Sequence, residues 1–171
     1  MFKEHTLNTT EIIDLIQKNT QIEVKASENS YDASIIVEPK DVLPVMKFLK
    51  LSRDLSFKVL SSHTAVHDGE DFKLFWNLLS YEHNLETTIE SSVPVVSPQI
   101  QSVCKVWKAA DWLERESYDL FGIQYIDHPD LRRIMLPEDW IGFPLRKDYQ
   151  SPEGYQDIEN SRSEIDKRFK P

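Results

Sequence analysis

A few side chains in this sequence have the type and spacing to do chemistry. His63 and His67 stand four residues apart, the spacing that places two imidazoles on one helix face around a metal ion. Their neighbours alternate as a strand does, where four residues span about 13 Å. That is too far for one ion, so ordinary polar or turn histidines are expected. His5 and His83, in terminal and turn contexts, are expected to be equally plain. Glu114 is the sharper case, because on a helical wheel it shares a row with Trp107 and Phe121. A carboxylate in an apolar row must be paired or keep its proton. The dense cations near it in sequence are Arg132, Arg133, Arg146 and Lys147; Glu116 and Asp119 flank it, and Arg115 lies on the polar face. Two roles fit Glu114: a general acid of near-neutral pKa, or a member of an ion-pair network pinning an irregular arm to a helix. The network is preferred, since nothing nearby resembles a nucleophile or a metal cage. His128 could act as an acid–base imidazole, but it precedes Pro129, which forces extended backbone, and a hinge is the plainer expectation.

Composition narrows the classes further. The chain has 171 residues with 29 Asp+Glu against 20 Lys+Arg, a net charge of −9 and a pI near 5.0. That balance opposes binding to a phosphate backbone or an anionic membrane surface, though not to a protein. Cys104 is alone, which excludes an intrachain disulfide, a four-thiolate iron–sulfur site and a zinc knuckle. The four glycines, Gly69, Gly122, Gly142 and Gly154, are too scattered for a phosphate cradle or dinucleotide fingerprint. No apolar run is long enough to span a membrane, and the first residues form neither a secretory nor a transit signal. A soluble, cytoplasmic chain is expected.

The elements that must position these residues follow from periodicity. Residues 9–18 predict an amphipathic helix capped by Asn8, with Glu11 in capping-box spacing. Strands are predicted over Ile22 to Ala26 and Ala33 to Glu38. A second helix is expected from an Asp41 cap to about Leu51, with Pro44 tolerated in its first turn. Three more strands, Phe57 to Val66, Phe72 to Tyr81 and Leu85 to Val93, are joined by Asp68-Gly69 and Glu82-His83-Asn84 turns. In the last of these, Leu85, Thr87, Ile89, Ser91 and Val93 should face a core. From about Pro98 to Phe121 the steps between Val103, Val106, Ala110, Leu113, Ser117 and Leu120 predict one long helix, stopped by Gly122. The expected fold is α+β: a two-layer α/β sandwich (helix-strand-strand-helix-three strands, mixed sheet), then the long helix and an extended C-terminal arm. Residues 1–95 would form the sheet domain, 96–149 the helix and arm of the same domain, and 150–171 a polar tail without its own core.

One stretch reads as a signature. Glu114-Arg115-Glu116-Ser117-Tyr118-Asp119-Leu120-Phe121-Gly122-Ile123 is followed by His128-Pro129-Asp130-Leu131-Arg132-Arg133-Ile134-Met135 and by Pro144-Leu145-Arg146-Lys147-Asp148-Tyr149. This closely resembles the 30-kilodalton subunit (the C subunit) of the proton-pumping NADH:quinone oxidoreductase, respiratory complex I. The likeness is nearly unbroken from Trp107 to Tyr149 and extends over about residues 8–150. Departures are small: Asp127 where many members have Gly, Tyr125 where Phe is common, and Phe143 for a frequent His.

The resemblance implies a subunit of the peripheral arm, on the cytoplasmic side of the bacterial inner membrane and associated with the membrane only through the complex. It implies packing on the quinone-site D subunit and near cluster-bearing subunits, with flavin and iron–sulfur clusters on those partners. This chain is expected to bind no cofactor, metal or nucleic acid and to contribute no catalytic residue. Glu114, Arg115, Glu116, Asp119, His128, Arg132, Arg133, Arg146 and Lys147 are then structural or interface candidates. Trp112, Phe121, Trp140 and Tyr149 are candidate anchors. Three alternatives stand beside it. One is the equivalent subunit of a related complex with another donor (ferredoxin-dependent and plastoquinone-reducing, or membrane-hydrogenase type). Another is a free-standing binding module, and the last is a hydrolase using Glu114 and His128, a poor site without nucleophile or oxyanion loop.

Overall fold

Asn8 opens helix α1 (Thr9–Thr20) with a complete capping box: its side chain accepts from the Glu11 amide and the Glu11 carboxylate accepts from the Asn8 amide. The computed structural model of the chain describes residues 7–27, 34–152, 154–156 and 158–159. His5, Ala33 and residues 160–171, most of the expected polar tail, lie outside them. After α1 come strands β1 (Lys25–Ala26) and β2 (Ser34–Ile36), shorter than predicted. Residues 22–24 stay out of the ladder; Val24 is buried and its carbonyl accepts from the Gln17 side chain instead. Helix α2 (Val42–Leu51) starts after Asp41, but the Asp41 side chain caps nothing. A 3₁₀ turn over Pro39–Asp41 leads into the helix and sets Asp41 in right-handed helical backbone rather than the extended geometry of a side-chain cap.

Strands β3 (Val59–Asp68), β4 (Asp71–Ser80) and β5 (Leu85–Pro94) form the body of a five-stranded mixed sheet ordered β1-β2-β5-β4-β3, with β2 parallel to β5. The register lines up His63–Trp76–Ile89, Ala65–Leu74–Ser91 and His67–Phe72–Val93 on one buried face. The alternation predicted for Leu85 to Val93 holds at each of the five inward positions. His63 and His67 both lie on that inward face rather than in a turn.

The stretch expected to be one helix from Pro98 divides. Residues Gln99–Gln101 are strand β6, residues 103–109 pass through turns, and helix α3 covers only Ala110–Phe121. Strand β7 (Gln124–Ile126) then returns parallel to β6, making a small β-α-β unit. The amides of Val106, Trp107 and Ala110 close turns on Val103 and Trp107 carbonyls, and Val103, Val106, Trp107 and Ala110 are all buried. Successive tight turns thus reproduce a helical burial spacing without a helix. A short antiparallel hairpin, β8 (Gly154–Tyr155) and β9 (Ile158–Glu159), follows the arm, and none of the described helices is long and apolar enough to cross a membrane.

Candidate functional site

Helix α3 buries Ala110, Glu114, Ser117 and Phe121 on one stripe, stepping by four, three and four residues against the sheet side. It ends at Gly122, whose φ of 78° is left-handed and whose amide donates to the Tyr118 carbonyl. A Cβ at Gly122 would lie 2.6 Å from the Phe143 ring and 2.8 Å from the Arg146 guanidinium, so glycine is required here for space as well as for backbone. Asp119 is fully buried although it lies about 140° round the helix from Glu114, at 100° per residue. What covers it is the arm, the chain from 127 to 149.

Asp119 gathers that arm. Its Oδ2 accepts from the amides of Ile134 (3.0 Å), Met135 (2.7 Å) and Leu136 (2.8 Å), and its Oδ1 accepts from Arg133 Nη1 at 2.6 Å. Burial by itself would push this carboxyl up; the bonds from the Leu136 amide, the Arg133 guanidinium and the Met135 and Ile134 amides overcome it and hold the carboxyl below its ordinary value. Arg133 also donates through Nη2 to the Trp140 and Gly142 carbonyls, so one guanidinium fastens two turns of the arm. Arg115 donates to the carbonyls of Arg132 and Arg133 and stands 4.0 Å from Asp130, which Arg132 also pairs at 2.9 Å.

Glu114 is placed otherwise than the sequence led us to expect. It is fully buried, yet no arginine or lysine lies within ion-pair distance among the described residues. Arg133 sits on the Asp119 side of the helix and Arg146 at its C-terminal end, while Glu114 faces the β6–α3 connection. Its Oε1 accepts from the Val103 amide (2.8 Å), and its Oε2 from Ser102 Oγ (2.6 Å) and Cys104 Sγ (3.3 Å). Desolvation drives its pKa up to about 7, against those hydrogen bonds, which favour the charged form. Burial, together with the nearby Glu114, pushes the Cys104 thiol up to about 12, which leaves no thiolate for nucleophilic work.

His128 completes this pocket with a side chain shut off from solvent. Its Nδ1 accepts from the Asp130 amide at 3.0 Å and its Nε2 donates to the Asp111 carbonyl at 3.2 Å; Glu114 Oε2 is 3.9 Å away. Cys104, Glu114 and His128 offer donor atoms within 4.8 Å of one another, a spacing that a metal ion could close. The hydrogen bonds oppose it. With Nδ1 accepting from an amide, the ring proton must sit on Nε2, and a metal there would displace that proton and break both bonds. Both bonds run to backbone groups, one on α3 and one just after Pro129.

At the far end of α3, Arg146 donates from Nε to the Phe121 carbonyl and lies over the rings of Phe72 (5.3 Å) and Phe143 (5.0 Å). The Lys147 amide donates to His67 Nδ1 at 2.9 Å, tying the arm to the sheet; His67 Nε2 donates to the Gly69 carbonyl. His63 Nδ1 donates to the Phe75 carbonyl and its Nε2 accepts from the Tyr125 hydroxyl at 2.6 Å, while the ring stacks on Trp76 at 4.7 Å. Full burial lowers the His63 pKa to about 4. Both histidines are thus occupied separately. Glu116, Arg132 and the Lys147 side chain are exposed, as is Trp112 (70 %); Phe121 is buried, and Trp140 and Tyr149 are half-buried.

Comparison with known proteins gives this arrangement its context. The sequence model described as the respiratory-chain NADH dehydrogenase 30 kDa subunit matches residues 35–155. The chain belongs to that family. It is 39% identical over 145 residues to the C subunit of NADH-quinone oxidoreductase from Geotalea uraniireducens (strain Rf4), a match covering 83% of this chain and 87% of that one. It is 37% identical over 142 residues to the same subunit of Geobacter metallireducens, covering 81% and 86%. In fold it is similar to the trypsin-resistant fragment of Nqo5 (TM-score 0.58, 21% identity, 71% of this chain and 98% of that one). It is also similar in fold to a chain of the membrane-bound sulfane sulfur reductase, an archaeal respiratory membrane complex (TM-score 0.70, 17% identity, 95% and 91%).

Within this 30 kDa subunit family member, the signature residues divide by partner. Asp119, Arg133 and Arg115 fix the arm to α3, Arg146 and Lys147 fix it to the helix end and the sheet, and Glu114 with His128 closes the β6–α3 pocket. Sequence reasoning missed Ser102, Val103 and Tyr125 as the partners of Glu114 and His63. The only local signal was Tyr125 standing where Phe is common.

Proposed function

We propose that this chain is a cofactor-free structural subunit in the peripheral arm of a proton-pumping NADH:quinone oxidoreductase. In that role it holds the quinone-site D subunit and neighbouring cluster-bearing subunits in register on the cytoplasmic side of the membrane. Electrons would pass from NADH through flavin and iron–sulfur clusters on those partners to quinone, with no stop on this chain. The observation that carries the proposal is the use to which the signature is put. Its charged residues are spent largely on each other and on backbone, fastening an aromatic-rich arm to α3. Lone Cys104, with its raised pKa, and His128, with both nitrogens engaged, are poor cluster or metal ligands.

The test is affinity purification of a tagged chain from native membranes. The assembly should carry flavin and iron–sulfur absorbance and oxidise NADH with quinone, whereas the chain purified alone should show neither pigment nor turnover. Stoichiometric iron on the isolated chain would defeat the proposal. The fold shared with the sulfane sulfur reductase chain supports a second reading, the equivalent subunit of a complex with another electron donor. Co-purified partners that lack an NADH-oxidising flavin subunit would select it.

A further inference from the structure

Arg146 differs from the other arginines around the arm. Arg115 and Arg132 face Asp130, and Arg133 holds Asp119, but no carboxylate lies within 4.0 Å of Arg146 among the described residues. The carbonyl end of α3 accounts for its Nε–H, which donates to Phe121. Its four terminal N–H groups have no acceptor among the described residues, and the residue is half-buried rather than enclosed. The fork is already held in place, because Nε is fixed and the plane lies against Phe72 and Phe143. An immobilised, partly desolvated guanidinium forms an ion pair with little further loss of side-chain entropy. The same stretch of arm exposes Ile141 (81 %) and Leu145 (52 %), apolar side chains that the described residues leave uncovered.

We propose that Arg146 receives an aspartate or glutamate side chain from another protein subunit, which packs its apolar surroundings on Ile141 and Leu145. The occupant is inferred from charge complementarity: a two-pronged cation with no carboxylate within ion-pair distance among the described residues fits a bidentate carboxylate. This rests on the proposed role as a subunit of a membrane assembly. The test uses that assembly, purified from cells in which Arg146→Lys replaces the native chain, treated with a zero-length carbodiimide that joins amines to carboxylates. An amide link between position 146 and an Asp or Glu of a different subunit is expected. An intact assembly without that link, or with a link to a second copy of this chain, overturns this inference alone. Failure to recover the wild-type chain in any membrane assembly overturns it together with the subunit role. A second measurement needs no substitution: phenylglyoxal should modify Arg146 of the isolated wild-type chain several-fold faster than in the assembly. Equal rates would contradict the proposal.

Discussion

Arg133 and Asp119 meet at 2.6 Å on the outer side of α3, and this contact buries a carboxylate that the helix alone would leave in water. Three consecutive amides of the arm converge on the same carboxylate. The pair therefore works as a clasp, in which helix geometry supplies the acid and the arm supplies both the cation and the cover.

Removing one side of the clasp should be costly. Asp119→Asn replaces a four-fold acceptor with a group that presents N–H where N–H already points, and leaves Arg133 without its counter-charge. A loss of about 3–5 kcal/mol is expected, the range for breaking a buried pair by removing one member. Urea unfolding of the isolated chain would measure it.

Glu114 should make stability fall with rising pH. Its folded pKa, about 7, lies above the ordinary 4.5, so the protonated form is the one that folding favours. Its contribution is complete below pH 4.5 and is lost as pH rises through 7, on the order of 3 kcal/mol for a shift of this size. Glu114→Gln should erase this slope, seen as a wild-type minus variant difference in unfolding free energy that changes across that window. A flat difference would show that the carboxyl is not perturbed.

His63 should act in the opposite sense. Its folded pKa is about 4 against an ordinary 6.5, so its contribution is present above pH 6.5 and is lost as pH falls through 4. Histidine NMR titration should show one imidazole still neutral at pH 5. Tyr125→Phe should cost about 1–3 kcal/mol by leaving His63 Nε2 buried without a donor.

Gly122→Ala should loosen the arm. The variant meets a left-handed φ and a Cβ contact below 3 Å with both Phe143 and Arg146. A cost of about 1–3 kcal/mol is expected from backbone strain, with faster hydrogen exchange at the Leu145 amide, which donates to the Leu120 carbonyl.

How much of this was legible depended on the range of the forces involved. The Asn8–Glu11 box, the alternation of Leu85 to Val93 and the stop at Gly122 are local, and residue type and spacing were enough to find them. Strand β6 was hidden because its partner, β7, lies beyond α3, and because the turns after Val103 bury side chains at helical intervals. The burial of Asp119 was equally hidden, since a helical wheel places it outward and only the arm covers it. The same blindness gave Glu114 the wrong partner. Sequence proximity pointed to arginines that bond Asp119 and the helix end instead, while Ser102 and Val103 reach it through a strand and turns that periodicity had read as helix.

The most direct test of the account is the yield of membrane assembly recovered through a tagged Asp119→Asn chain, compared with wild type, alongside near-UV circular dichroism of each isolated chain. A folded sheet with a strongly reduced yield of the membrane assembly is what the proposed docking role of the clasped arm requires. Wild-type yield from a variant whose arm has demonstrably come away from α3 would contradict it.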